Sequence, residues 1–181
     1  LNISLYCFEE LYTVQGILIS LRRTDSLFLA YTDGSKLCLA RSQNGIVWIK
    51  ENTGLYLDAD DAVTLDIGAA GPEILYFSNA GSYLIHTHKE SGVWITDTIH
   101  NYAPGDGAGF AIDQQNIPHA SFYSNSNPQG LVHAKKISGI WIKEQIDMPG
   151  SNLSSIAVED SNCVYILYAS WESGNPLIFA F

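Results

Sequence analysis

The stretch GLVHAKKISGIWIKEQI, residues 130–146, decides the fold. A short alternating run that includes Leu131 and His133 meets a tight turn at Ser138-Gly139. A second run follows through Ile140, Ile142, Glu144 and Ile146, with Trp141 near its start. Period-two alternation on both sides of a two-residue turn predicts a β-hairpin. The hairpin recurs as SYLIHTHKESGVWITDTI (82–99) and, more loosely, as KLCLARSQNGIVWIKEN (36–52). Trp48, Trp94 and Trp141 are therefore 46 and 47 residues apart, and a fixed period of that size marks a repeat architecture.

The period extends outward from the tryptophans. Strands ending near Leu21, Leu65, Ile112 and Val158 open four units. A second strand in each closes on Thr32, Ser78, Ser124 or Ser170, at a constant spacing of 46. Third strands follow around LCLAR, LIHTH, LVHAK and LIFAF, and fourth strands carry the tryptophans. Four antiparallel strands per unit, repeated radially, predict an all-β chain forming a β-propeller of four four-stranded repeats of about 46 residues. The units read as 12–57, 58–103, 104–149 and 150–181 of one domain spanning 1–181. The last unit stops at its third strand, so residues 1–11, around Leu5 and Tyr6, are expected to supply the strand that completes that blade and removes two open edges. Two chains exchanging these strands would instead make a homodimer with an eight-bladed ring.

IPHASFYSNSNPQGLVHAKKISGIWIKEQID (117–147) followed by SSIAVEDSN (154–162) resembles the propeller repeat of bacterial and archaeal surface proteins, whose units run as PHISYYD, LKYA, GxW and SLALD. The resemblance covers nearly the whole chain. It departs in the first unit, where GIVW replaces GxW and Arg22 replaces the acidic residue. It implies a propeller and a secreted or cell-surface location. That family has no single activity, so no catalytic residue carries over.

Composition narrows the function classes. Nine Lys and Arg against 19 Asp and Glu give a net charge of −10, which repels nucleic acid and anionic membrane surfaces. No apolar run reaches the roughly 18 residues of a membrane span, so membrane insertion is not expected. Cys7, Cys38 and Cys163 have neither CxxC spacing nor an even count, and read as free thiols. The chain opens on Leu1 with no Met, which reads as a processed chain or an excised piece.

Several clusters invite chemistry. RSQNGIVW (41–48) resembles the Asp-box of sialidase-type propellers, with Asn44 for Asp and Val47 for Thr, and such boxes brace a turn. A sialidase-like site needs converging arginines, but Arg22, Arg23 and Arg41 all fall in the first unit. His86 and His88 share one face of a strand, and His133 is the repeat equivalent of His86; the linear sequence offers no third ligand, so no metal site is expected. Asp66, Asp113 and Glu159 end the first strands and read as turn caps. No cofactor is expected; residues 58–62 and 104–109 have oxygen ligands that suit calcium but lack the order of an EF-hand loop. The expected ligand-binding residues are Trp171, Asp33, Asn79 and Asn125 in the loops, and Arg41, His88 and Lys135 in one repeat column. Without a convergent nucleophile and base, the chain reads as a non-catalytic module that binds glycan or protein, or alternatively as a scaffold or assembly subunit, and not as an enzyme.

Overall fold

The structure is a computed structural model that describes residues 18–21, 26–57, 63–78, 83–101, 107–148, 153–160, 163–169 and 177–180. All regular structure in these residues is strand. The first sheet runs β1 (Leu18–Leu21), β2 (Leu27–Asp33), β3 (Lys36–Ser42) and β4 (Ile49–Tyr56). The second runs β5 (Val63–Gly68), β6 (Gly71–Ser78), β7 (Tyr83–Glu90) and β8 (Val93–Asn101). The third runs β9 (Gly109–Ile112), β10 (Pro118–Ser124), β11 (Gly130–Ile137) and β12 (Ile140–Asp147). The last has three described strands, β13 (Ser154–Asp160), β14 (Cys163–Ala169) and β15 (Leu177–Ala180). The strand expected in residues 1–11 lies outside the described residues.

Each sheet is an antiparallel meander, and consecutive sheets touch through their first strands, β1 to β5, β5 to β9 and β9 to β13. This is the four-bladed propeller arrangement, with first strands innermost and β4, β8 and β12 outermost. The hairpin at 130–146 forms as its sequence requires: Ile137 pairs with Ile140 across Ser138 (φ 51°) and Gly139 (φ 81°). Positive φ at both central residues gives the turn whose twist matches the strands. Ser91 and Gly92 repeat it at φ 49° and 83°.

The core is a series of layers between sheets, because each blade is apolar on both faces. Leu37, Leu39 and Leu57 of the first blade pack against Val63, Ile74 and Tyr76 of the second, with Trp94 against the edge. Leu75, Phe77 and Leu84 pack against Phe110, Phe122 and Val132 of the third, with Trp141 in the same role. Leu131 packs with Ile156, Ile166 and Tyr168 of the fourth. Trp94 and Trp141 are thus wedges between blades, while Trp48 sits against Leu29, Tyr31, Cys38 and Ala40 of its own blade.

Polar staples follow the same seams. Asp66 Oδ2 accepts from the Ile112 amide at 2.7 Å, so this residue ties two blades together as well as bracing its own turn through Ile67. Ser154 Oγ donates to the Ser121 carbonyl at 3.0 Å. Lys89 Nζ reaches Glu51 Oε2 at 2.6 Å, and Lys136, 47 residues on, makes the equivalent ion pair with Asp97.

Candidate functional site

Two histidine and carboxylate constellations occupy equivalent places in the second and third blades. Second strands supply Glu73 and His119, third strands His86 and His133, and fourth strands Asp97 and Glu144, at spacings of 46, 47 and 47 residues. Register brings them level, since His86 lies opposite Asp97 and His133 opposite Glu144. Pleating turns each trio toward the next blade, where the seam buries His86 to 1% exposure and His119 to 0%.

In the third blade the groups form a chain from the interior to the surface. Asp113 Oδ2, fully buried, lies 3.4 Å from His119 Nε2. His119 Nδ1 lies 3.0 Å from His133 Nε2, and His133 Nδ1 lies 2.7 Å from Glu144 Oε1. The two rings are nearly parallel, at 14°, with centroids 5.2 Å apart. Asp113 is pinned by the amides of Gln115 and Ile117 on its other oxygen, which keeps it an acceptor. Burial pulls the His119 value below the ordinary imidazole range, although Asp113 works against it.

Counting protons gives this chain its chemistry. Three hydrogen bonds need three protons, and two neutral imidazoles supply only two. Filling all three contacts at once therefore takes one further proton. The chain's far end, the Glu144 side chain, is 64% exposed, which makes that carboxyl the port through which the proton enters or leaves.

The second blade is built differently. Glu73 Oε2 lies 2.8 Å from His86 Nε2, and Glu90 Oε1 lies 3.1 Å from His88 Nε2. Each carboxylate faces an Nε2 atom, which in a neutral ring leaves Nδ1 with the lone pair, and both Nδ1 atoms are buried without a hydrogen bond. Asp97 Oδ2 is 3.6 Å from His86 Nδ1, beyond hydrogen-bond reach. Donor atoms of His86, His88 and Asp97 all lie within 4.8 Å of one another. Burial would raise the Asp97 carboxyl, but the Lys136 ammonium outweighs it and holds the group below the usual carboxylate range. Asp97 thus faces the histidine pair from the following strand, a neighbour that the linear sequence conceals.

His100 presents a third arrangement. Its Nε2 lies 2.6 Å from Ser124 Oγ and 2.8 Å from Ser126 Oγ, while its Nδ1 faces Lys143 Nζ at 3.5 Å. Accepting from the ammonium makes Nδ1 the lone-pair atom and Nε2 a donor, so this histidine cannot take a proton from either serine. Burial and then Lys143 push it down to about 4. It is a brace for the loop after β10.

The residues expected from sequence scatter. Arg41, His88 and Lys135 occupy the same place in β3, β7 and β11, but on three different blades. Asp33 and Asn125 are exposed at strand ends. Trp171 and Asn79 lie outside the described residues, as do Arg22, Arg23, residues 58–62 and Cys7. The segment resembling an Asp-box does brace its turn: Asn44 Oδ1 accepts from the amides of Ile46 and Val47, and Ser42 Oγ from that of Gly45. Asp113 caps its turn as read. The functional residues missed, Glu73, Asp97, His119 and Glu144, fall on the same period as the tryptophans; aligning polar positions by that period would have found them.

A scan of protein-family models gives no match, and a search of curated proteins gives none. Among solved structures, the endo-arabinase from Bacteroides thetaiotaomicron is similar, with a TM-score of 0.40 and 10% identity over 92% of this chain and 93% of that one. Likeness of this size passes no substrate to this chain; of the repeat resemblance, the propeller architecture is what stands. The seams converge titratable groups whose apparent absence had pointed to a non-catalytic module, so the expectations of such a module and of no enzyme are both corrected.

Proposed function

We propose that this chain is a propeller that carries out acid–base chemistry on a neutral, polyhydroxylated ligand of the glycan class. Glu144 is the group that exchanges a proton with a ligand oxygen, and His133, His119 and Asp113 reload it. The carrying observation is the three-link chain from a buried carboxylate to an exposed one. Such a group near a glycosidic oxygen serves as general acid or base. The net charge of −10 disfavours anionic ligands. A secreted or cell-surface location belongs to the same proposal.

Reducing-end release from a panel of neutral polysaccharides tests it. The wild type releases sugar from at least one, and Glu144→Gln lowers that rate by about 100-fold or more. Release from none, or an unchanged rate in Glu144→Gln, overturns the proposal.

A further inference from the structure

The seam between the second and third blades points to a second site, independent of the relay. We infer that His86, His88 and Asp97 bind one first-row divalent cation of the zinc type through two Nδ1 atoms and a carboxylate oxygen.

Three observations carry it. First, both Nδ1 atoms are buried without a hydrogen bond, and Asp97 Oδ2 stands 3.6 Å from His86 Nδ1. Second, each imidazole has its other nitrogen fixed by a carboxylate, His86 by Glu73 and His88 by Glu90. That is the outer arrangement which sets tautomer and ring orientation for metal-binding histidines. Third, the donors already lie within 4.8 Å of one another, with the rings nearly parallel at 17°. Tetrahedral bonds of about 2.0–2.1 Å ask only that they close in further. Two imidazoles and one carboxylate suit zinc over calcium or magnesium, which take oxygen. Trp141 stands edge-on to His86, with ring centroids 5.4 Å apart.

Lys136 competes for the same carboxylate. A metal ion displaces its ammonium from Asp97 or takes the other oxygen, so removing this lysine tightens binding.

Calorimetric titration of the chelator-treated full chain with Zn²⁺ tests the site, with Co²⁺ absorption reporting the ligand field and circular dichroism checking the fold. The wild type takes up one equivalent. His88→Gln and Asp97→Asn, both at partly exposed positions, weaken uptake at least tenfold. Glu73→Gln weakens it by about 10–100-fold through the second shell of hydrogen bonds, and Lys136→Met strengthens it. Absence of saturable uptake, or one equivalent retained in both His88→Gln and Asp97→Asn, overturns the inference. So does loss of uptake in His133→Gln with His88→Gln unaffected, because it moves the ion to the other blade.

Discussion

His133 Nδ1 lies 2.7 Å from Glu144 Oε1, so an imidazole that is 4% exposed is joined to a carboxylate that is 64% exposed. Their truncations therefore have unequal consequences. His133→Leu strands His119 and, behind it, the buried Asp113, and costs about 2–4 kcal/mol. Glu144→Gln removes a group that water can replace and costs about 1 kcal/mol or less. Urea denaturation of the two variants checks the ranking.

His100 gives the chain an acid-side sensitivity. Its folded value, about 4, is below the ordinary 6.5, so between these limits the unfolded chain binds more protons than the folded one. Stability therefore rises with pH through this window and is lost as pH falls from about 6.5 toward 4. The wild type is expected to lose more urea resistance than His100→Gln between pH 7 and pH 4.5.

Gly109 is a point of close approach between the third blade and the fourth. A Cβ there would stand 2.6 Å from Ser121 Oγ and 2.7 Å from the Ile156 amide nitrogen. Because one of these atoms is backbone of the neighbouring sheet, relief requires the blades to part. Gly109→Ala is expected to cost about 1–3 kcal/mol, read as a fall in melting temperature.

The paired Lys89–Glu51 and Lys136–Asp97 contacts are partly exposed, and each contributes about 1 kcal/mol or less. Salt screens such pairs. A Lys89→Met/Lys136→Met double variant is expected to show a smaller drop in stability than the wild type as sodium chloride rises to about 1 M.

The thiols are expected to be sluggish. Burial, then Asp33, raises the Cys38 value, while Asp160 foremost raises that of Cys163. Mass spectrometry after iodoacetamide at neutral pH should find Cys163 labelled slowly in the folded protein and Cys38 only after unfolding.

The strands were legible because Trp48, Trp94 and Trp141 and the closing hydroxyls recur at one period, and a repeat states its register several times over. The site was harder to read. His86 and His88 stood out as a pair, but Asp97 belongs to the following strand and faces them only once β8 pairs with β7. Glu73 and His119 looked like ordinary polar residues at strand starts, since nothing linear records that the second strand is sandwiched between sheets. Asp66 was half legible: its turn was foreseeable, but its bond to Ile112 spans blades and depends on packing. Trp171 drew notice for its loop, a feature of composition, whereas the chemistry gathers at seams, a feature of geometry.

Lys89, Lys136 and Lys143 each reach backward, the first to Glu51, the second to Asp97 and the third to the Ile99 carbonyl. The array consequently has a direction of dependence, like shingles each nailed to the one laid before it. Loss of one of these lysines therefore loosens the seam with the sheet before it and leaves the seam after it in place.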